Sequence, residues 1–211
     1  MTNLKNYLEA KVNSRGNKNL NYLSSFFSET ELAILSNKTI SIVGTNGKSS
    51  TANNIAMLLK GLDKSYIAFT SPHLFDYKER MTAHKDLNFN EYIQYLENFE
   101  LKNNINLGYF ESTFLIAAKA FLHNDMDYFI CEAGIGGKYD TTSVIQSKTV
   151  VLTSIGLDHT DILGNKITDI LNQKISVSDN IETLFVSVLN KELIEIIKSQ
   201  YTNYSQSIYL S

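Results

Sequence analysis

One short stretch limits the folds open to this chain more than any other: Ser41-Ile42-Val43-Gly44-Thr45-Asn46-Gly47-Lys48-Ser49-Ser50-Thr51. A β-branched run opens into a glycine turn, and the turn ends in Lys-Ser at the head of a helix-forming segment. The order is strand, loop, helix. In such a unit the backbone N–H groups of the turn converge on phosphate oxygens, and the lysine reaches the β- and γ-phosphates. A hydroxyl, from Ser49 or Ser50, then sits on a magnesium ion. The positive end of the helix dipole lies beneath the same anion. The loop is short, because the usual first glycine would fall at Ile42 and the first glycine of this loop is Gly44. Gly44, Thr45, Asn46, Gly47, Lys48, Ser49 and Ser50 form the candidate nucleotide-phosphate site.

The rest of the chain repeats the alternation. Two polar-rich amphipathic stretches, 2–11 and 19–27, read as lead-in helices. Strands are predicted at 39–43, 65–69, 127–131, 149–154, 183–188 and 207–210, and helices at 49–60, 90–102, 111–123, 167–177 and 191–200. A polar excursion separates Asp76 from Asn88. Alternation of this kind predicts an α/β fold, a mainly parallel P-loop-type sheet flanked by helices. It divides the chain into a helical lead-in, 1–38, and a nucleotide-binding domain, 39–211. In such sheets ligands gather at the carboxyl ends of the strands.

Composition narrows the class. The sequence holds 211 residues, 43% hydrophobic and 19% charged, enough for a sizeable core. A net charge of −3 gives no basic field for nucleic acid or an acidic membrane, so an anion must be held by local groups. One cysteine, Cys131, excludes an intrachain disulfide and suits a reducing compartment. Residues 1–15 lack the apolar core of a secretory signal, and no apolar run approaches the roughly 18–20 residues needed to cross a bilayer. A cytoplasmic protein without nucleic-acid or membrane partners is expected.

Three residue clusters follow predicted strands. Thr70-Ser71-Pro72-His73-Leu74 holds Ser71 extended, because a proline disfavours helical geometry in the residue before it. Glu132-Ala133-Gly134-Ile135-Gly136-Gly137-Lys138-Tyr139-Asp140-Thr141-Thr142 puts a carboxylate at a buried strand end, where it can hold magnesium directly or through water. Its glycines allow a close approach but lack dinucleotide-binding spacing. Ser154-Ile155-Gly156-Leu157-Asp158-His159-Thr160 supplies His159, although nitrogen is an uncommon ligand for so hard an ion. Taken alone, Ser71-Pro72 reads as an ordinary turn before it reads as a site, and Lys174 as a solvated helix lysine.

Together the motifs resemble the folylpolyglutamate synthase/dihydrofolate synthase family of the Mur ligase superfamily. They are Gly-Thr-Asn-Gly-Lys at 44–48, Thr-Ser-Pro-His-Leu at 70–74, Tyr-Phe-Glu at 109–111, Glu-x-Gly-x-Gly-Gly-x-x-Asp-x-Thr at 132–142 and Ser-Ile-Gly-Leu-Asp-His-Thr at 154–160. The resemblance runs from about residue 39 to 175 and implies a Mur-ligase-like central ATPase domain. It implies ATP and Mg2+ as cofactors, and an amide formed between glutamate and dihydropteroate or a folate through an acyl phosphate. Carried over, it makes Ser71, Glu132 and His159 magnesium ligands, and Lys48, His159 and Lys174 the catalytic set. Lys174 falls where the family has a lysine that can be carbamylated. Tyr109, Phe110, Glu111 and Ser112 align with one segment lining the pteroate site, and Tyr139, Asp140 and Thr141 with another. Ser49 replaces a glycine, Lys138 an arginine, and Ile175-Ser176-Val177 an Ala-Gly pair. Family members continue beyond the position of Ser211 into a C-terminal domain that closes over the nucleotide. On that reading, a monomer of 211 residues binds Mg·ATP and does not by itself form the amide at an enzymatic rate. Two alternatives stay open: a superfamily ligase with another acceptor, such as a cell-wall precursor, and a nucleotide-binding remnant without ligase activity.

Overall fold

A computed structural model of the chain describes residues 3–12, 19–187, 191–200 and 207–210. Three helices lead in: α1 (Leu4–Glu9), α2 (Leu20–Ser24) and α3 (Glu29–Lys38). Then come β1 (Thr39–Val43), α4 (Lys48–Gly61), β2 (Tyr66–Phe69), β3 (Met81–Ala83), α5 (Ile93–Asn103) and α6 (Tyr109–His123). The chain continues through β4 (Tyr128–Glu132), β5 (Thr149–Leu152), α7 (Thr160–Leu163), α8 (Ile167–Ile175), β6 (Thr183–Val186), α9 (Lys191–Gln200) and β7 (Ser207–Leu210).

The strands form one seven-stranded sheet in the order β3-β2-β4-β1-β5-β6-β7. Every pairing is parallel except that of β2 with β3. The register sets Ile42 beside Glu132, Val43 beside Leu152 and Phe69 beside Cys131, so β2, β4, β1 and β5 finish at one edge. The predicted architecture is therefore present, with an antiparallel edge strand added inside the polar excursion.

Period-two alternation explains how the layers fill. Ile67, Phe69, Phe129 and Cys131 point into one core with α1, α2, α3, α5 and α6. Tyr66, Ala68, Ile130 and Ile42 point the other way, onto Ala52, Ala56 and Leu59 of α4. Val150, Leu152 and Leu184 join Leu171 and Ile175 of α8 and Ile194 and Ile197 of α9 in a third cluster. Helices thus cover both faces, as buried parallel strands require.

The lead-in helices belong to the main core. Phe27 and Leu35 are buried with Phe114 and Phe121. The short α1 is tied down through Glu100, which accepts from Tyr7 Oη at 2.9 Å and from the Leu107 N–H at 2.6 Å, and pairs with Lys11. Burial and the Glu100 charge together push the Tyr7 phenol far above its ordinary value. Helix α3 escapes sequence reasoning because its apolar stripe is weak, yet its start carries a reciprocal cap in which Ser28 and Glu31 exchange bonds. Among the described residues, no helix is long and apolar enough to cross a membrane.

Predicted boundaries shift by a few residues: α6 starts at Tyr109, β5 ends at Leu152 and α8 at Ile175. The predicted end of the sixth strand, Val188, lies outside the described residues.

Candidate nucleotide-phosphate site

The glycine loop follows β1 and is gripped by the segment after β5. Ser154 O accepts from the Thr45 N–H at 2.7 Å, and Ser154 Oγ accepts from the Asn46 N–H at 3.0 Å. Thr153 Oγ1 donates to Asn46 O at 2.7 Å, and Thr45 Oγ1 accepts from the Gly156 N–H at 3.0 Å. Gly44 must be glycine: φ is +152°, and a Cβ would fall 2.0 Å from Thr153 Oγ1. These contacts use the N–H groups of Thr45 and Asn46. The next donors, Gly47 to Ser50, open α4, where no preceding turn supplies carbonyls. Gly47, at φ +84°, gives the helix no side-chain cap. An uncapped helix start with a positive dipole is the group expected to take an anion.

Two lysines meet on one carbonyl. Gly44 O accepts from Lys48 Nζ at 3.0 Å and from Lys174 Nζ at 2.8 Å, and Lys48 also donates to Thr45 O at 3.3 Å. Lys174 projects from α8 and is 3% exposed. Burial, and then the charge of Lys48, bring its pKa down to about 8 against the pull of Asp158 and Asp140. The glycine turn after β4 sets this approach. A Cβ on Gly137 would lie 2.4 Å from Lys174 O and 2.5 Å from Gln173 O, and the Lys138 N–H donates to Gln173 O at 2.9 Å.

Glu132 joins three motifs. At the end of β4 its Oε1 accepts from Ser49 Oγ at 3.0 Å, and its Oε2 accepts from the Ser71 N–H at 3.2 Å. Burial raises its pKa, opposed first by those two hydrogen bonds and then by Lys48 and Arg80. The oxygens of Ser49, Ser71 and Glu132 are a hard-donor set that fits magnesium.

Other carried-over residues take different places. His159 is half-exposed at φ +47°, with its Nε2 3.8 Å from Asp158 Oδ2. Among the described residues no group of three or more His, Cys, Asp or Glu side chains could hold a metal by itself; Ser71 and Glu132 adjoin through the Ser71 N–H. Asp140 is spent within the chain: Oδ2 accepts from the Gly134 and Ile135 N–H groups, and Oδ1 from the Thr142 N–H and hydroxyl. It shapes the turn that supports Lys174. Glu111, Ser112 and Thr141 are buried, with Thr141 Oγ1 3.4 Å from Glu111. Tyr109 and Phe110 are half-buried, Phe110 against Phe69, while Tyr139 is exposed beneath Lys138.

Sequence reasoning missed Arg80, which donates through Nε to His73 Nδ1 at 2.8 Å and lies over the Tyr109 ring. The signal was compositional: Arg80 is one of only two arginines among 19 basic residues.

The description of the Mur ligase middle domain matches residues 42–209, from the end of β1 to the last strand. The chain belongs to that family. The matched span takes in the glycine loop, the Ser71 segment, Glu132 and Lys174. Among its relatives is the dihydrofolate synthase/folylpolyglutamate synthase of Buchnera aphidicola from Acyrthosiphon pisum, 38% identical over 140 residues. That match covers 64% of this chain and 34% of the relative. The solved E. coli FolC in complex with DHPP and ADP superposes with a TM-score of 0.77 at 25% identity, covering 97% of this chain and 49% of that one. An FPGS–AMPPCP–folate complex superposes with a TM-score of 0.81 at 24% identity, over 97% of this chain and 52% of that one, and speaks to the fold alone. The chain thus spans about a third to a half of the proteins it resembles.

Proposed function

We propose that this chain is the ATP-binding part of a ligase that joins glutamate to dihydropteroate or to a folate. One observation carries the reading: the Glu132 carboxylate ties the glycine loop, through Ser49, to the Ser71 segment, beside an uncapped helix start. The kinship with dihydrofolate synthase/folylpolyglutamate synthase supports the acceptor class.

In this reading the N–H groups of Gly47 to Ser50 bind phosphate oxygens. Lys48 exchanges the carbonyls of Gly44 and Thr45 for the β- and γ-phosphates. Ser49, Ser71 and Glu132 hold magnesium, which when bound neutralises phosphate charge. Lys174 keeps the Gly44 carbonyl turned inward, and its lowered pKa provides the neutral amine that carbamylation requires. Tyr109 and Phe110 face the acceptor. His159 is proposed as a further magnesium ligand on the strength of the resemblance. The protein works in the cytoplasm, as a monomer.

A substrate screen tests this. With a non-hydrolysable Mg·ATP analogue present, dihydropteroate or tetrahydrofolate should bind, and a UDP-linked muramoyl peptide should not. Binding of the muramoyl peptide alone would overturn the acceptor assignment.

A further inference from the structure

A cavity of about 550 Å³ opens between α1 and the loop after Ser71. Leu8, Val12, Phe75, Tyr77 and Tyr109 give it one apolar, largely aromatic side, and the rest of its lining is polar, including Lys5, which pairs with Glu9 at 3.9 Å. Phe75 is 93% exposed at its lip. The loop that carries Phe75 is fixed from within, because Glu79 accepts from the N–H groups of Leu74, Phe75 and Asp76 at 2.8, 2.9 and 2.9 Å.

Into this cavity Arg80 brings a half-buried guanidinium. Its Nε is spent on His73 and its face on the Tyr109 ring, whose centroid lies 5.0 Å away. Glu9 and Asp76 also line the cavity, yet among the described residues Arg80 makes no ion pair. A guanidinium carries five donors in a fixed fork, and His73 accepts from one of them. The Nη edge is left for a planar two-oxygen anion. The guanidinium lies near enough to the phosphate site for its charge and that of Glu132 to act on each other, and His73, which orients it, stands two residues after Ser71.

We propose that Arg80, oriented by His73 and Tyr109, binds the carboxylate of the acceptor and so draws an aromatic acid into this cavity beside Ser71 and Glu132. The proposal rests on the functional reading above and assigns the residue that selects a carboxylate. Lysine would supply the charge without the fork or the stacking plane.

The test measures binding of dihydropteroate and of its carboxamide to the whole chain, in wild type, Arg80→Gln and Arg80→Lys, with Mg·ATP titrated separately. A charge-assisted hydrogen bond of about 1.5–3 kcal/mol corresponds to roughly ten- to hundred-fold in affinity. Wild type should prefer the carboxylate over the carboxamide by that factor, a comparison that needs no variant to fold. Arg80→Gln should lose the preference by weakening only the carboxylate, and Arg80→Lys should recover part of it. Equal binding of acid and amide by wild type, or an undiminished preference in a folded Arg80→Gln, overturns the proposal and leaves the functional reading standing. Binding of Mg·ATP but of neither acceptor overturns the proposal together with the acceptor assignment, and binding of neither ligand overturns the functional reading as a whole.

Discussion

Replacing Gly137 by alanine should damage the phosphate site from the far side of the sheet edge. The added Cβ would meet Lys174 O at 2.4 Å, Gln173 O at 2.5 Å and Lys174 C at 2.9 Å, whereas ordinary contact begins near 3.4 Å. All three are backbone atoms and cannot rotate aside. The turn and the end of α8 must therefore part by about 1 Å, straining the Lys138-to-Gln173 hydrogen bond of 2.9 Å. Overpacking of this kind costs about 1–3 kcal/mol. For a chain of this size that lowers the unfolding midpoint by roughly 3–10 °C. The same shift carries Lys174 Nζ from 2.8 Å to beyond hydrogen-bond reach of Gly44 O, so Mg·ATP affinity should fall several-fold as well. Gly61→Ala is the control. A Cβ there meets nothing within 4 Å, and alanine at the end of α4 should add up to about 1 kcal/mol. Thermal unfolding followed by circular dichroism, with calorimetry for the nucleotide, reads both quantities. An unchanged midpoint in Gly137→Ala would refute the close-approach argument.

Other outcomes rest on the same geometry. Glu132→Gln and Ser49→Ala should each lower stability and magnesium-dependent nucleotide binding, with a coupling of about 0.5–3 kcal/mol because they share one hydrogen bond; urea unfolding of the double mutant measures it, and strict additivity would argue against the bond. A second cycle, Glu132→Gln with His159→Ala, should show non-additive losses of magnesium dependence if both hold one ion, and additive losses would leave that role to Glu132 without His159. The Lys174 pKa falls on folding from 10.5 to about 8, so the unfolded chain holds its proton longer. The contribution of this site to stability should therefore rise with pH between about 8 and 10.5, and Lys174→Met should remove that rise in urea unfolding across the range.

Much of this was legible from sequence because the informative residues stand at strand ends. Thr39–Val43 and Tyr128–Glu132 announce themselves as short apolar runs, and the residues after each run lie at the carboxyl edge of a parallel sheet. The glycine loop, Ser71 and Glu132 are placed on that ground. Less local features were not accessible. Met81–Ala83 is too short to show a period and becomes a strand only by pairing with β2. Asp140 reads as a site residue from its neighbours, and its bonds to four donors of its own turn are visible only in the structure. Lys174 reads as a solvated lysine until Gly137 is seen to let α8 approach. His73 and Arg80 lie seven residues apart in a polar segment, and only the loop pinned by Glu79 turns them toward each other. Motifs specify strand ends; which side chain meets which depends on packing between elements far apart in sequence.

The proposed function depends on the glycine loop holding nucleotide phosphates, with Lys48 as the cation aimed at them. Isothermal titration of Mg·ATP into the wild-type chain and into Lys48→Ala tests this most directly. Saturable one-site binding is expected in wild type and none resolvable in the variant, with both proteins equally folded by circular dichroism. Equal affinity in the two proteins would contradict it.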